Sequence, residues 1–216
     1  MDGTLTEPRK AIKKDTLDAV LDLARENKVV IISGSDYDYI YQQCKPLVQS
    51  DLDIDILPCN GTKVYKTSST EATLSHCVDM VDKIGNDSYR KILIEIGKAQ
   101  LELFQNYPDL LFTGTFFHYR GSMINWCPIG RLAKDPERER WKRADSRDAI
   151  RKPLQRRLSN RLASMDIKVT VSLGGSTSFD IYPDGWDKTY GLKHYLGEDI
   201  YFIGDACHKG GNDWHI

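Results

Sequence analysis

The apolar positions of this chain fall into two textures. Over residues 13–27, Leu17, Val20, Leu21, Leu23 and Ala24 form a stripe with charged residues between them, the spacing of an amphipathic helix. Residues 29–32 are then a short, wholly apolar, β-branched run that ends in Ser33-Gly34-Ser35-Asp36. This pattern predicts a buried parallel strand, a small-residue turn and a helix over 37–48. Turns of that kind stand at the carboxyl ends of strands, where ligands bind. A second short strand is expected over 55–59, closed by the turn signal Asn60-Gly61. Helices alternating with short apolar strands argue for an α/β core.

From about Cys77 the texture changes. Residues 89–104 carry Ile92, Ile96, Ala99 and Leu103 at helical spacing, and 110–119 with 123–127 read as strands joined by Arg120-Gly121-Ser122. Residues 147–165 read as one long, very basic helix with Ile150, Leu154, Leu158 and Leu162 on one face, followed by strands over 167–173 and 177–182. Helices on one side of an antiparallel sheet describe an α+β module, placed at 79–184 and inserted into the core of residues 1–78. The core resumes over 185–216 with a helix at 189–196, a strand at 200–203, and a loop from Gly204-Asp205 through Gly210-Gly211-Asn212-Asp213.

Composition narrows the function. Thirty basic against thirty-one acidic residues leave no global field that favours nucleic acid or anionic lipid, so any anion site is local. The five cysteines form an odd set with no Cys-x-x-Cys, and no apolar run is long enough to span a bilayer; a soluble, cytoplasmic protein without disulfides is expected. Cys207 and His208 are adjacent, a poor bite for zinc even with His215 nearby. The basic helix alternates its charges with Leu at core spacing and has no interleaved aromatic platform, which reads as a solvated face rather than a nucleic-acid surface.

Candidate chemistry begins at the first residues. Asp2-Gly3-Thr4 resembles the second half of the Asp-x-Asp-Gly-Thr loop of haloacid-dehalogenase-type phosphotransferases. Thr113-Gly114-Thr115-Phe116, Pro128-Ile129-Gly130-Arg131, Ser178-Phe179-Asp180, Pro183-Asp184-Gly185-Trp186-Asp187-Lys188 and Gly204-Asp205 with Gly210-Gly211-Asn212-Asp213 then follow in order. Together they are similar to the eukaryotic-type phosphomannomutases over nearly the whole chain. The resemblance implies a Rossmann-like haloacid-dehalogenase core with an inserted α+β cap domain. It also implies truncation at both ends: the nucleophilic Asp would stand one residue before Met1, and a further segment would follow Ile216.

Phosphoryl transfer needs an in-line nucleophile, a cation on the phosphate oxygens and fixed positive groups around the transferred group. The resemblance makes Asp2 the acid/base that protonates the leaving sugar oxygen and deprotonates the incoming hydroxyl, with its main chain and Asp205 holding Mg²⁺. Lys188 would offset the phosphate charge, and Asn212 and Asp213 would support the site. Ser33 and Ser35 are both candidates for the phosphoryl-binding hydroxyl, and spacing does not choose between them. A mutase must also hold the phosphate that is not reacting and exclude water, which a phosphatase need not do. The planar fork of arginine suits that clamp. Arg9, Arg120, Arg131 and Arg138 match the family's phosphate-binding arginines, and Ser178 and Asp180 its sugar contacts.

The implied function is interconversion of mannose 6-phosphate and mannose 1-phosphate, with a sugar 1,6-bisphosphate as activator and hexose phosphates as partners. It implies too a homodimer through the cap and a place in GDP-mannose synthesis. A sugar-phosphate phosphatase of the same superfamily and a catalytically dead sugar-phosphate-binding fragment are the alternatives. Residues 1–216 alone are expected to be poorly stable and inactive as a mutase.

Overall fold

The computed structural model describes residues 1–209, 211 and 213–216. Its chain falls into two units, Met1–Val78 together with Gly185–Ile216, and Asp79–Asp184.

In the first unit, helix α1 (Lys14–Glu26) buries Ala24 and half-buries Leu17, Val20 and Leu21 against the apolar cluster that includes Ile31, Ile40, Leu47 and Ile54. Strand β1 (Val29–Ile32) follows, and helix α2 (Tyr37–Val48) starts at Asp36, whose carboxylate accepts from the Tyr39 amide at 3.0 Å. Pro46 removes one amide from the helical ladder, and α2 kinks at Cys44. The Gln43 carbonyl accepts from the Ile12 amide at 2.8 Å, which ties α2 to the chain before α1. Strand β2 (Ile54–Leu57) is wholly buried and runs parallel to β1 with Val29 opposite Ile54. It ends two residues earlier than its pattern predicts, because Cys59–Gly61 coil into a 3₁₀ turn.

Strands β3 (Lys63–Lys66) and β4 (Thr73–Cys77) complete the sheet in the order β1-β2-β3-β4, each antiparallel to its neighbour. Neither was foreseen from the sequence. Asp55 on β2 is fully buried and accepts from Lys66 and from the Tyr195 hydroxyl, the latter at 2.7 Å, with Lys28 at 3.1 Å.

The second unit opens with the short helix α3 (Met80–Ile84) and the long helix α4 (Asn86–Asn106), which buries Ile92, Ile96, Ala99 and Leu103 as expected. Strands β5 (Phe117–Tyr119) and β6 (Ile124–Trp126) form a hairpin. The expected strand over 110–119 shrinks to its last three residues: Thr113, Thr115 and Phe116 still bond to the backbone of 127–131, but Gly114 and Thr115 have φ of 94° and 48°, which breaks the regular ladder.

Helices α5 (Asp135–Asp148) and α6 (Arg151–Ala163) replace the single helix expected over 147–165. The break falls at Ala149, in left-handed conformation with φ 50°. Pro153, in the first turn of α6, is tolerated there and would have disrupted a continuous helix. Strands β7 (Val169–Gly174) and β8 (Ser178–Pro183) give an antiparallel sheet of order β5-β6-β8-β7. Gln100 of α4 ties helix to sheet, donating to the Pro128 carbonyl at 2.9 Å and accepting from the Trp126 indole at 2.7 Å.

Back in the first unit, helix α7 (Thr189–Leu192) is one turn long and passes into a 3₁₀ turn over Lys193–Tyr195, shorter than the helix expected over 189–196. The apolar run at 200–203 is not a strand. Tyr201 is 94% and Ile203 77% exposed, and no described strand lies beside them to supply a ladder.

Candidate active-site residues

The first loop folds on itself. The amides of Thr4, Leu5 and Thr6 all point to the Met1 carbonyl at 2.8–3.2 Å, and Gly3 donates to Thr6 at 2.8 Å. Gly3 has φ 83°, and a Cβ there would stand 2.4 Å from Asp205 Oδ2. Thr4 Oγ1 donates to the other Asp205 oxygen at 3.3 Å. Asp205 therefore lies directly against the loop.

The Asp2 carboxylate faces α2. The Tyr39 hydroxyl donates to Oδ2 at 3.3 Å and Thr6 Oγ1 approaches Oδ1 at 3.5 Å. In the amide orientation that satisfies both of its ends, Gln43 donates to Asp2 Oδ1 at 3.1 Å and its oxygen lies 2.9 Å from the Tyr39 hydroxyl, whose single proton it shares with Asp2 Oδ2. Tyr39 and Gln43 lie one turn apart on the same face of α2, and sequence reasoning missed both. The signal available was two polar side chains at i, i+4 flanking the buried Ile40 and Cys44.

Lys188, at the start of α7, forms an ion pair with Asp213, and both are nearly fully buried. The position of α7 is set by Asn60 donating to the Trp186 carbonyl at 3.1 Å and by His194 against the Gly61 carbonyl at 2.9 Å. The Met1 amine is buried and lowered in pKa, first by that burial and then by the charge of Lys188, while Asp2, Asp213 and Asp205 oppose the shift.

Ser33 is buried, its hydroxyl accepting from the Ser35 amide at 3.1 Å, and neither serine hydroxyl bonds to Asp2. Arg9 has a left-handed φ of 65° and lies within electrostatic reach of the Tyr39 hydroxyl. Asn212 is outside the described residues.

The second unit gathers a separate polar cluster. Asn125 stands opposite His118 on one side and Asp180 on the other, and Asp180 opposite Ser172, so one row crosses all four strands. Asn125 donates to Asp180 at 2.7 Å and accepts from Arg131 at 3.0 Å, while Arg120 comes to 3.7 Å from the same Asp180 oxygen. Arg120, Arg131 and Asp180 are thereby brought together. Ser178 lies two residues before Asp180 on β8, hence on the same face. Arg138 sits on α5.

Among the described residues no group of three or more His, Cys, Asp or Glu side chains is placed to cage a metal. Mg²⁺ needs no such cage, since it keeps several waters and takes one or two carboxylates plus phosphate oxygens. The Asp205 carboxylate against the loop backbone next to Asp2 is a hard-oxygen set that fits it.

The model of the family described as eukaryotic phosphomannomutase matches residues 16–216. A phosphomannomutase of Dendrobium officinale is 34% identical over 226 residues, covering 100% of this chain and 82% of the relative. One of Arabidopsis thaliana is 33% identical over 218 residues, covering 100% and 84%. Among solved structures, an N-terminally truncated IMP-nucleotidase of Plasmodium falciparum has a TM-score of 0.64 at 13% identity, covering 98% of this chain and 61% of that one, a likeness of fold.

Proposed function

Since the chain belongs to the eukaryotic phosphomannomutase family, we propose that it interconverts mannose 6-phosphate and mannose 1-phosphate through a sugar bisphosphate and an aspartyl-phosphate enzyme. Asp2 is the acid/base: it gives a proton to the leaving sugar oxygen and takes one from the incoming hydroxyl. Tyr39 and Gln43 hold its carboxylate in one orientation for both steps. Lys188, with its charge shared by Asp213, offsets the negative charge of the phosphoryl group, and the hydroxyl of Ser33 or Ser35 donates to it. Asp205 and the main chain at Asp2 would hold Mg²⁺, which when bound neutralises phosphate oxygens.

Arg120, Arg131 and Arg138 of the second unit take the phosphate that is not reacting, and Ser178 and Asp180 take sugar hydroxyls, while Arg9 of the first unit faces a sugar phosphate. The observation that supports a mutase over a phosphatase is this second anion cluster, with two arginines converging on Asn125 and Asp180. A sugar 1,6-bisphosphate as activator, a homodimer through the inserted unit and a cytoplasmic place in GDP-mannose synthesis complete the reading. No described helix is long and apolar enough to cross a membrane.

The test is turnover by the protein purified from its source, with Mg²⁺ and glucose 1,6-bisphosphate. Conversion of mannose 1-phosphate to mannose 6-phosphate is expected; release of inorganic phosphate without isomerisation overturns the reading.

A further inference from the structure

Asn125 is the polar interruption of an apolar strand. It is 3% exposed, between Ile124 and Trp126, which are fully buried. An amide in such a place costs free energy unless its bonds are made. Here they are made: Nδ2 donates to Asp180 Oδ1 at 2.7 Å and reaches the Phe179 carbonyl at 3.4 Å, and Oδ1 accepts from Arg131 Nη1 at 3.0 Å.

The two ends of the amide face chemically opposite partners. A guanidinium only donates, so it selects the amide oxygen, and a carboxylate only accepts, so it selects the nitrogen. An aspartate at this position would hold Arg131 but repel Asp180; an aliphatic residue would hold neither. Asn125 thus stands as a neutral bridge bonded to both members of a charged pair.

We propose that Asn125 is a positioning residue, whose side-chain amide fixes the Arg131 guanidinium and the Asp180 carboxylate in place before a phosphosugar binds. Both donor hydrogens of the amide are engaged by the protein, so it acts through its two neighbours rather than on the ligand. The identity of that ligand as a hexose phosphate rests on the functional reading above.

The experiment measures mannose 6-phosphate affinity by calorimetry for the wild type, Asn125→Ala, Asn125→Asp, Arg131→Ala and the double variant Asn125→Ala/Arg131→Ala. Asn125→Ala is expected to weaken binding by about tenfold to a hundredfold, and to add little once Arg131 is gone. Asn125→Asp, isosteric and folded by circular dichroism, should weaken binding as well.

Wild-type affinity in Asn125→Ala, or losses that multiply with those of Arg131→Ala, overturns the inference, even if the melting temperature falls. If the wild type binds no hexose phosphate, the functional reading fails and positioning is judged by NMR of the arginine side chains. Rotation of the Arg131 guanidinium that is slow in the wild type and faster in Asn125→Ala upholds it; unchanged rotation sinks it.

Discussion

At Gly3 any side chain would collide with the Asp205 carboxylate, at 2.4 Å, and would also have to adopt φ 83°. Gly3→Ala is therefore expected to cost about 1 kcal/mol from the backbone alone. It should also raise the Mg²⁺ concentration needed for half-maximal turnover, a titration that separates the displaced carboxylate from mere loss of fold. Lys188 and Asp213 make a buried pair whose partners depend on each other. Asp213→Ala leaves the ammonium uncompensated and should lower stability by about 3 kcal/mol in urea titration. Adding Lys188→Met to that variant should restore much of it.

The elements read most clearly from the sequence are those whose apolar pattern is also their burial pattern. Helix α1, strand β1 and the Asp36 start of α2 form where the pattern places them, although Leu23 of the α1 stripe is exposed and β1 fully buries only Ile31. Strands β3 and β4 escaped because their side chains are mixed: in the interior strand β3, Lys63 and Lys66 flank Val64 and Tyr65, and the edge strand β4 is largely exposed. The opposite error occurred at 200–203, an apolar run without a described partner strand. Pro136 and Pro153 were legible signals for the starts of α5 and α6 that helical periodicity overrode. In the candidate site, residues inside motifs were readable, whereas Tyr39, Gln43 and Asn125 matter through partners far away in sequence. At this scale Asp36→Ala should cost about 1 kcal/mol through the lost helix cap, lowering the melting temperature by about 2–4 °C. Activity should fall further than that, because α2 carries the two side chains that orient Asp2.

For the molecule as a whole, Asp55 links the two stretches of chain that build the first unit, accepting from Lys66 on one and Tyr195 on the other. Burial disfavours its charge, but bonds from Lys66, Tyr195 and Lys28 outweigh that and hold its pKa below the usual 3.8. A carboxylate lowered in the fold contributes stability that is full above its unfolded pKa and is lost as pH falls through the folded value. Tyr195, raised above its usual 10 by burial and by Asp55, contributes stability that is full below 10 and is lost as pH rises through its folded value. Urea midpoints should therefore fall at both ends of the pH range, with Asp55→Asn flattening the acid limb and Tyr195→Phe the alkaline one.

The division of the chain also sets an order of events during synthesis. The unit Asp79–Asp184 is continuous in sequence and leaves the ribosome entire, so it can close its sheet at once. The other unit must wait until Tyr195 emerges to meet Asp55 and Asp205 to meet Gly3 and Thr4. A ribosome halted just before Gly185 would therefore carry a finished insert and an unfinished first unit, its first loop made but Lys188, Tyr195 and Asp205 not yet translated.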